Sequence, residues 1–530
     1  MQPLWRDPPE ALSGRALAPL QRNAAGGAVP WLAPLTILAL VALAGGLPLV
    51  LRCTMDGQIN YNEGWNAYRQ QAAGHWYPLY AAPPGTAITN YPPLSFHLVG
   101  LLGRLCGDVV LAGRLVSLLA IAVVGGVLYQ IAGRLSGSRA AGACCGLCWL
   151  IGLEFWTPDR IGADDPQLLA MAMQALGLLA FLSRVPDQAA RAGRRAASPS
   201  HLVASAALVS LGLFAKHNLL ALPVGLTLFL VLCRHWRELA IWLLTGLACC
   251  SALLTLTVAV DGSLFLTHLL MPRAFLPVHG LRMTAVYTAV TSPALVAVAR
   301  WSWRQRNSAG EVRALSLVWL ASLLEIVLFA GGDGVANNIF QDAILTNALL
   351  HPVALWQSLS RRQEWPNRPL SGAGAESAVF ALIPLLLLPL LLATILVPVW
   401  ASWQAMSHRQ DGVRQAVALL RERPGPVMCE TLLLCFRAGR PSAFDAYYVQ
   451  DQIRIGRLSE AQIDAMIEQQ TLAAVQIGTV DDPASLDPAY QPRRFPASFM
   501  AVLHARYRLV LVTGDIAIFE PRAAPLPGAG

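Results

Sequence analysis

Residues 56–93 read DGQINYNEGWNAYRQQAAGHWYPLYAAPPGTAITNYPP, and they follow directly on an apolar run, Trp31–Leu51. The run is about as long as a bilayer core requires, exceeds a signal-peptide core, and has no small-residue cleavage site behind it. It therefore reads as a retained membrane anchor. The stretch behind it combines Asp56, Glu63 and His75 with tyrosines, Trp65, Trp76 and Pro92-Pro93, which is too polar and too aromatic for a simple connector. It reads as the acidic side of a site at a membrane surface.

Composition agrees with a membrane protein. Of 530 residues, 55% are hydrophobic and 13% charged, and the mean hydropathy is +0.49. Soluble domains carry about a quarter charged residues. The net charge of +8 does not mark a nucleic-acid binder, because the arginines fall in short clusters between apolar runs instead of along one face. Of the 39 basic residues, one is a lysine, Lys216. Most of the ten cysteines lie in apolar runs without zinc-ligand spacing. Only Cys429 and Cys435 fall where a disulfide could form, and the sequence leaves that open.

Ten further spans can be drawn at roughly 113–133, 139–156, 163–183, 201–215, 217–233, 238–260, 284–300, 312–330, 338–358 and 377–400. Pro92–Cys106 is apolar but short and begins with Pro-Pro, so the sequence leaves two readings: a re-entrant or interfacial helix, or a full span that would reverse the topology of everything after it. With a cytoplasmic N-terminus and eleven spans, the inside segments hold eighteen basic residues against six outside (Arg52, Arg69, Arg160, Lys216, Arg273, Arg282). That bias follows the positive-inside rule. Residues 1–30 are expected to be disordered, 31–400 to form the membrane domain with a first outside loop at 52–112, and 401–530 to form a periplasmic domain. Short β-type runs at PVMC, AAVQIG, YRLVLVTG and DIAIFE, interleaved with helices, predict a small α/β fold there. Ser459 with Gln462 reads as a capping box, and PRAAPLPGAG as a flexible tail.

The outside loops share a chemistry that the inside loops lack: acids, histidines, asparagines and Lys216 gather on one face. Ionisable groups at membrane depth are costly and usually mark a site. Each also has a plainer reading. Glu63 could be a helix-start acid, Asp165 before Pro166 a helix cap, Lys216 a snorkelling lysine, and Asn338 a turn residue.

In order and spacing, MDGQINYNEGWNAY (55–68), NYPPLSFHLVGLLGRLCGD (90–108), RIGADDPQLLAMAMQ (160–174) and FAKHN (214–218) resemble the polytopic GT-C glycosyltransferases. The likeness is to the family 39 and RgtA/B/C/D-like enzymes, relatives of the protein O-mannosyltransferases and the lipid A aminoarabinose transferase, and covers roughly residues 30–360. It implies a multi-helical membrane fold and transfer of a sugar from a polyprenyl phosphate to a lipid, polysaccharide or protein acceptor on the outer face of a bacterial inner membrane.

The family's first outside loop carries an Asp-Glu pair and often a lysine before Pro-Pro, where this chain has Asn62-Glu63 and Tyr91. The resemblance therefore points to Glu63 as the base, with Asp56 in reserve. It points to Asp164 and Asp165 for donor or acceptor contacts, and to Lys216 with His217 for the donor phosphate. Tyr91, Trp65, Arg273 and Asn338 complete the expected substrate contacts, with His268 and His279 as further positions. A divalent cation on Asp164, Asp165 and Glu63 stays open, although nearer relatives work without metal. A flippase or transporter of a lipid-linked sugar is the alternative.

Overall fold

The computed structural model describes residues 29–82, 85–183, 199–306, 310–363, 388–441, 444–478, 495 and 497–522. The expected disordered N-terminus and C-terminal tail lie outside these residues, except that Val29 and Pro30 open the first helix, Pro521 ends the last strand and Arg522 follows it.

Every expected span coincides with a helix over its described residues; residues 377–387 of the last one lie outside them. In chain order these are α1 (Val29–Leu51), α4 (Val109–Ser136), α5 (Arg139–Trp156), α6 (Pro166–Leu182), α7 (Ser200–Ala215), α8 (Ala221–Leu232), α9 (Trp236–Asp261), α11 (Pro277–Arg304), α12 (Gly310–Phe329), α13 (Gln341–Gln363) and α14 (Leu388–Glu422). Five of them are long and apolar enough to cross a membrane by length and composition. Their buried faces share one core, around Leu128, Trp149, Phe181, Leu226, Trp319 and Leu349, while α9 and α11 turn leucines and valines outward. An apolar exterior of this kind belongs against lipid.

Before the C-terminal domain, three shorter described helices lie outside the eleven: α2 (Asn62–Gly74), α3 (Leu94–Cys106) and α10 (Phe265–Leu269). At 13 residues α3 rises about 20 Å, short of the roughly 30 Å of a hydrocarbon core. Both its ends meet the same layer. His97 near its start pairs with Asp261 at the end of α9, and Arg104 in its last turn donates to Gly74 O at the end of α2 (2.8 Å). Its length and contacts are those of a lateral helix, one of the two readings that the sequence leaves open.

Helix ends sort into two layers. In the far layer, Trp301 donates to Gln357, and Gln357 to Leu135 O, tying the C-terminal ends of α11, α13 and α4. In the near layer, α2, α3 and the loops after α1, α5, α7, α9 and α12 come together. The C-terminal domain lies over this near layer: Arg437 pairs with Asp108, Arg454 with Asp333, and Asp451 accepts from Ala274 N.

That domain contains a four-stranded sheet in the order β1-β2-β4-β3, from Val427–Cys429, Ala474–Gly478, Tyr507–Thr513 and Ile516–Pro521. The four predicted runs are its four strands. β1 and β2 are parallel and the other pairs antiparallel. Alternation sends Met428, Val475 and Phe519 to one face, against α16 (Ala446–Arg454), α17 (Glu460–Glu468) and α18 (Ala497–Arg506). Val427, Cys429 and Ile518 face α14 and α15 (Leu432–Arg437). The Ser459–Gln462 capping box is present, and Cys429 and Cys435 form a disulfide. The boundary expected at 400/401 falls inside α14, one uninterrupted helix of 35 residues that runs from the bundle to the sheet.

Candidate active site

Glu63 sits at the start of α2 and is fully buried. Arg114, one turn into α4, grips it with two parallel bonds, Nε to Oε1 and Nη2 to Oε2, each 2.8 Å. Ile59 N donates to Oε2 (2.6 Å) and Asp164 N to Oε1 (3.0 Å). Arg114 spends its remaining donors on the carbonyls of Cys53, Met55 and Gly57. The pair thus ties the first loop to α4 and to the 158–165 loop. Four donors fill the four lone-pair positions of the Glu63 carboxylate, so no position is left for an acceptor hydroxyl. Its geometry is that of a scaffold, which differs from the open base expected at Glu63.

The two aspartates before α6 have opposite surroundings. Asp164 accepts from Gln70 (2.6 Å) through Oδ1, and its backbone carbonyl accepts from Asn66 (2.6 Å), both on α2. Its Oδ2 is buried without a partner, and burial raises its pKa well above the carboxylate range. Gly113 on α4 makes this placement possible, because a Cβ there would collide with the Asp164 carboxylate.

Asp165 is ionised. Burial opposes its charge, but Lys216 and Arg160 outweigh that and hold its pKa below the usual range. Oδ2 accepts from Asn62 (2.8 Å) and Arg160 (2.9 Å), and Oδ1 from Gln167 N (2.9 Å) and Lys216 (3.4 Å). It caps α6 at the same time, so the helix-cap role and a site role do not exclude each other.

Lys216 ends α7 with 2% of its surface exposed. Its ammonium lies 3.6 Å from the centre of the Tyr91 ring. Tyr91 is fixed edge-on to Trp65, with its carbonyl accepting from Tyr80 (2.6 Å). Next to Lys216, Nδ1 of His217 and Oδ1 of Asn218 are buried without partners. Burial and the charges of Lys216 and Arg273 push His217 down to about 4, so it is neutral at physiological pH.

Asp159 lies beside this centre in the TPDRIGADDP loop. One oxygen accepts from Asn60 (2.6 Å) and lies 3.2 Å from Arg160 Nε. Oδ1 takes no hydrogen bond from the described residues, and the side chain is 46% exposed. Arg160 bridges Asp159 to Asp165, and Asp165 leads to Lys216.

Other expected positions serve as framework. Trp65 donates to Ile88 O (2.9 Å) and packs among Phe96 and Tyr80 in the core under α2, rather than lining an open groove. Asn338 exchanges hydrogen bonds with Gln167, fixing the turn before α13 to α6. His268 accepts from Thr89 N and bonds Ala82 O. Asp56 pairs loosely with Arg414 (3.8 Å) on α14. Arg273 is exposed, near the Asp445 and Asp451 side of the C-terminal domain. Among the described residues no group of three or more His, Cys, Asp or Glu is placed to hold a metal. Glu63, Asp164 and Asp165 instead face Arg114, Gln70, Arg160 and Lys216.

Three residues escaped the sequence reading. Arg160 was counted only for topology, and Asp159 stood beside two more conspicuous acids. Arg114 lay inside an apolar run, and a lone arginine there is itself a signal that a buried partner exists.

Residues 90–258 match the family model for dolichyl-phosphate-mannose-protein mannosyltransferases. The fold is similar to that of ArnT from Cupriavidus metallidurans in the apo state, with TM-score 0.56, 14% identity, and 92% of this chain and 97% of that one covered. The same protein bound to undecaprenyl phosphate aligns with TM-score 0.56 at 13% identity, over 93% and 98% of the chains. The Archaeoglobus fulgidus oligosaccharyltransferase in the apo form aligns with TM-score 0.52 and 13% identity, over 93% of this chain and 74% of that one. This chain has the GT-C fold. A search of curated protein sequences gave no significant match. With this fold and its apolar helices it is a multi-pass membrane protein, and its near layer of helix ends is where Lys216, Asp165 and Asp159 meet.

Proposed function

We propose that this GT-C protein is an inverting glycosyltransferase that takes a sugar from a polyprenyl-phosphate-linked donor and delivers it to a cell-envelope acceptor at the outer face of a bacterial inner membrane. The observation that carries the reading is Lys216, a buried ammonium at a helix end, held between Asp165 and the face of Tyr91. A cation there stabilises the negative charge that a phosphate gains as it leaves. The unpartnered His217 Nδ1 and Asn218 Oδ1 beside it provide polar contacts that nothing in the described chain uses.

The acceptor hydroxyl attacks the anomeric carbon, the bond from that carbon to the phosphate oxygen breaks, and its electron pair stays on the phosphate. The hydroxyl proton goes to Asp159, whose Oδ1 is free and open. Asp159 is separated from Lys216 by Arg160 and Asp165, which suits attack and departure on opposite sides of one sugar. Asp165 positions both Lys216 and Arg160. The C-terminal domain, standing on the same layer, forms the acceptor side.

The Cys429–Cys435 disulfide supports a position for that domain outside the cytoplasm, where disulfides persist. The N-terminus is then cytoplasmic. Charges gathered at helix ends on one face fit an enzyme better than a transporter, whose charges sit near the midplane on broken helices.

The test is turnover in nanodiscs with a radiolabelled polyprenyl-phosphate sugar and a cell-envelope acceptor extract. Lys216→Ala is expected to weaken binding of the donor at least tenfold. Identical donor binding would remove the phosphate role.

A further inference from the structure

A polar cavity lies under the first loop, and Arg52 in its wall bonds to the 158–165 loop. It has a volume of about 270 Å³ and is walled by the first loop, α14 and the Thr431–Leu434 and Asp515–Ile516 segments of the C-terminal domain. That is near the small end of ordinary ligand sites, roughly 300–1,000 Å³, and matches one or two sugar rings rather than a lipid chain. Asn60 belongs to its wall and hydrogen-bonds Asp159, so the cavity adjoins the candidate base.

Most charges around it are already neutralised. Arg409 pairs with Asp515 (3.0 Å), and Asp56 faces Arg414 (3.8 Å) and donates its backbone N–H to Gln410 (2.8 Å). Arg52 is the exception. It is 97% buried (3% exposed), lines the cavity, and forms no ion pair with a described residue. One Nη2 group donates to the carbonyls of Pro158 and Ile161, and Nε has no partner. Asp159 and Glu63 act on it without forming an ion pair, so the buried guanidinium remains costly, and an anion in the adjoining space reduces that cost. The Oε1 of Gln58, also in the wall and also unpartnered, accepts from a hydroxyl.

We propose that this cavity binds a saccharide unit carrying one anionic group, with Arg52 on the anion and Gln58 on a hydroxyl. It is the acceptor subsite of the reaction proposed above, and as acceptor subsite it rests on that reading. Its position, one residue pair from Asp159, places the saccharide's remaining hydroxyls at the candidate base.

The experiment is saturation-transfer NMR on the full chain in nanodiscs, without donor. The probes are galacturonic acid and neutral galactose, with undecaprenyl phosphate binding measured separately. Galacturonate is expected to bind at least tenfold more tightly than galactose. Arg52→Gln is expected to reduce galacturonate binding at least tenfold. Arg52 also braces the 158–165 loop, so Ala405→Trp is the second variant: it fills the cavity from an exposed position on α14 and disturbs no ion pair. It is expected to abolish galacturonate binding and leave undecaprenyl phosphate binding intact. Equal binding of the two sugars, no binding of galacturonate, or galacturonate binding unaffected by Ala405→Trp each overturns the proposal. A chain that binds galacturonate as expected but binds undecaprenyl phosphate equally with and without Lys216 overturns the donor reading alone.

Discussion

Two acid-base clusters lie side by side under the first loop, and they differ in one respect. The Glu63–Arg114 pair is sealed, with exposures of 0% and 1% and every acceptor position filled. The Asp159–Arg160–Asp165–Lys216 chain runs from a half-open carboxylate to a buried ammonium, with unpartnered polar atoms around it. Both contain carboxylates and cations at similar depth, so residue type does not separate scaffold from chemistry. Saturation does. A group with no spare lone pair holds the fold together, and a group with one left over is available to a ligand.

The largest expected effect bears on that distinction. Asp159→Asn should lower kcat by about 10²–10⁴-fold, the usual contribution of a general base, while donor binding stays unchanged. Steady-state turnover combined with a donor-binding assay checks it. Undiminished turnover would place the base elsewhere and remove the contrast between open and sealed acids.

Next is the sealed pair. Arg114→Met leaves the Glu63 charge buried alone and should cost about 3–5 kcal/mol of stability. The double variant Glu63→Leu with Arg114→Met removes both charges and should recover most of that loss. Thermal unfolding in detergent reads both. If the double variant unfolds as early as the single one, the pair is not the brace that the geometry makes it.

A smaller effect concerns how the C-terminal domain is held over the sealed side. The Cys429–Cys435 disulfide closes a short loop that leads into α15. The backbone of α15 at Leu433 lies against Gly64 of α2, where a Cβ would collide. Replacing both cysteines with alanine should cost about 2 kcal/mol by the loop-closure relation. The same loss should follow from reductant on the native chain but not on the variant.

The helices and strands were legible because each is local. Apolar runs of bilayer length gave α1 and α4–α9, and alternation gave four strands at PVMC, AAVQIG, YRLVLVTG and DIAIFE. The site was legible only in part. Asp165 and Lys216 stood out by residue type and helix-end position, and the structure brings them together. Glu63 stood out for the same reasons, yet its part depends on Arg114, 51 residues away on another helix. No local pattern records how many donors reach a carboxylate. Tyr91 shows the same limit: the aromatic replacing an expected lysine lies under the ring contact of the chain's one lysine, which arrives from a different helix end.

The smallest effect is a pH dependence of stability at His217, beside Lys216. In the folded chain burial and then the charges of Lys216 and Arg273 depress its pKa to about 4, against about 6.5 unfolded. Below pH 6.5 the unfolded chain takes up a proton that the folded chain refuses, so stability falls with pH from about 6.5 to about 4. Above 6.5 the group contributes no slope. Unfolding temperatures measured across pH 4–8 should show this decline, and His217→Gln should flatten that share of it. A decline that survives the substitution would assign the proton uptake to other groups.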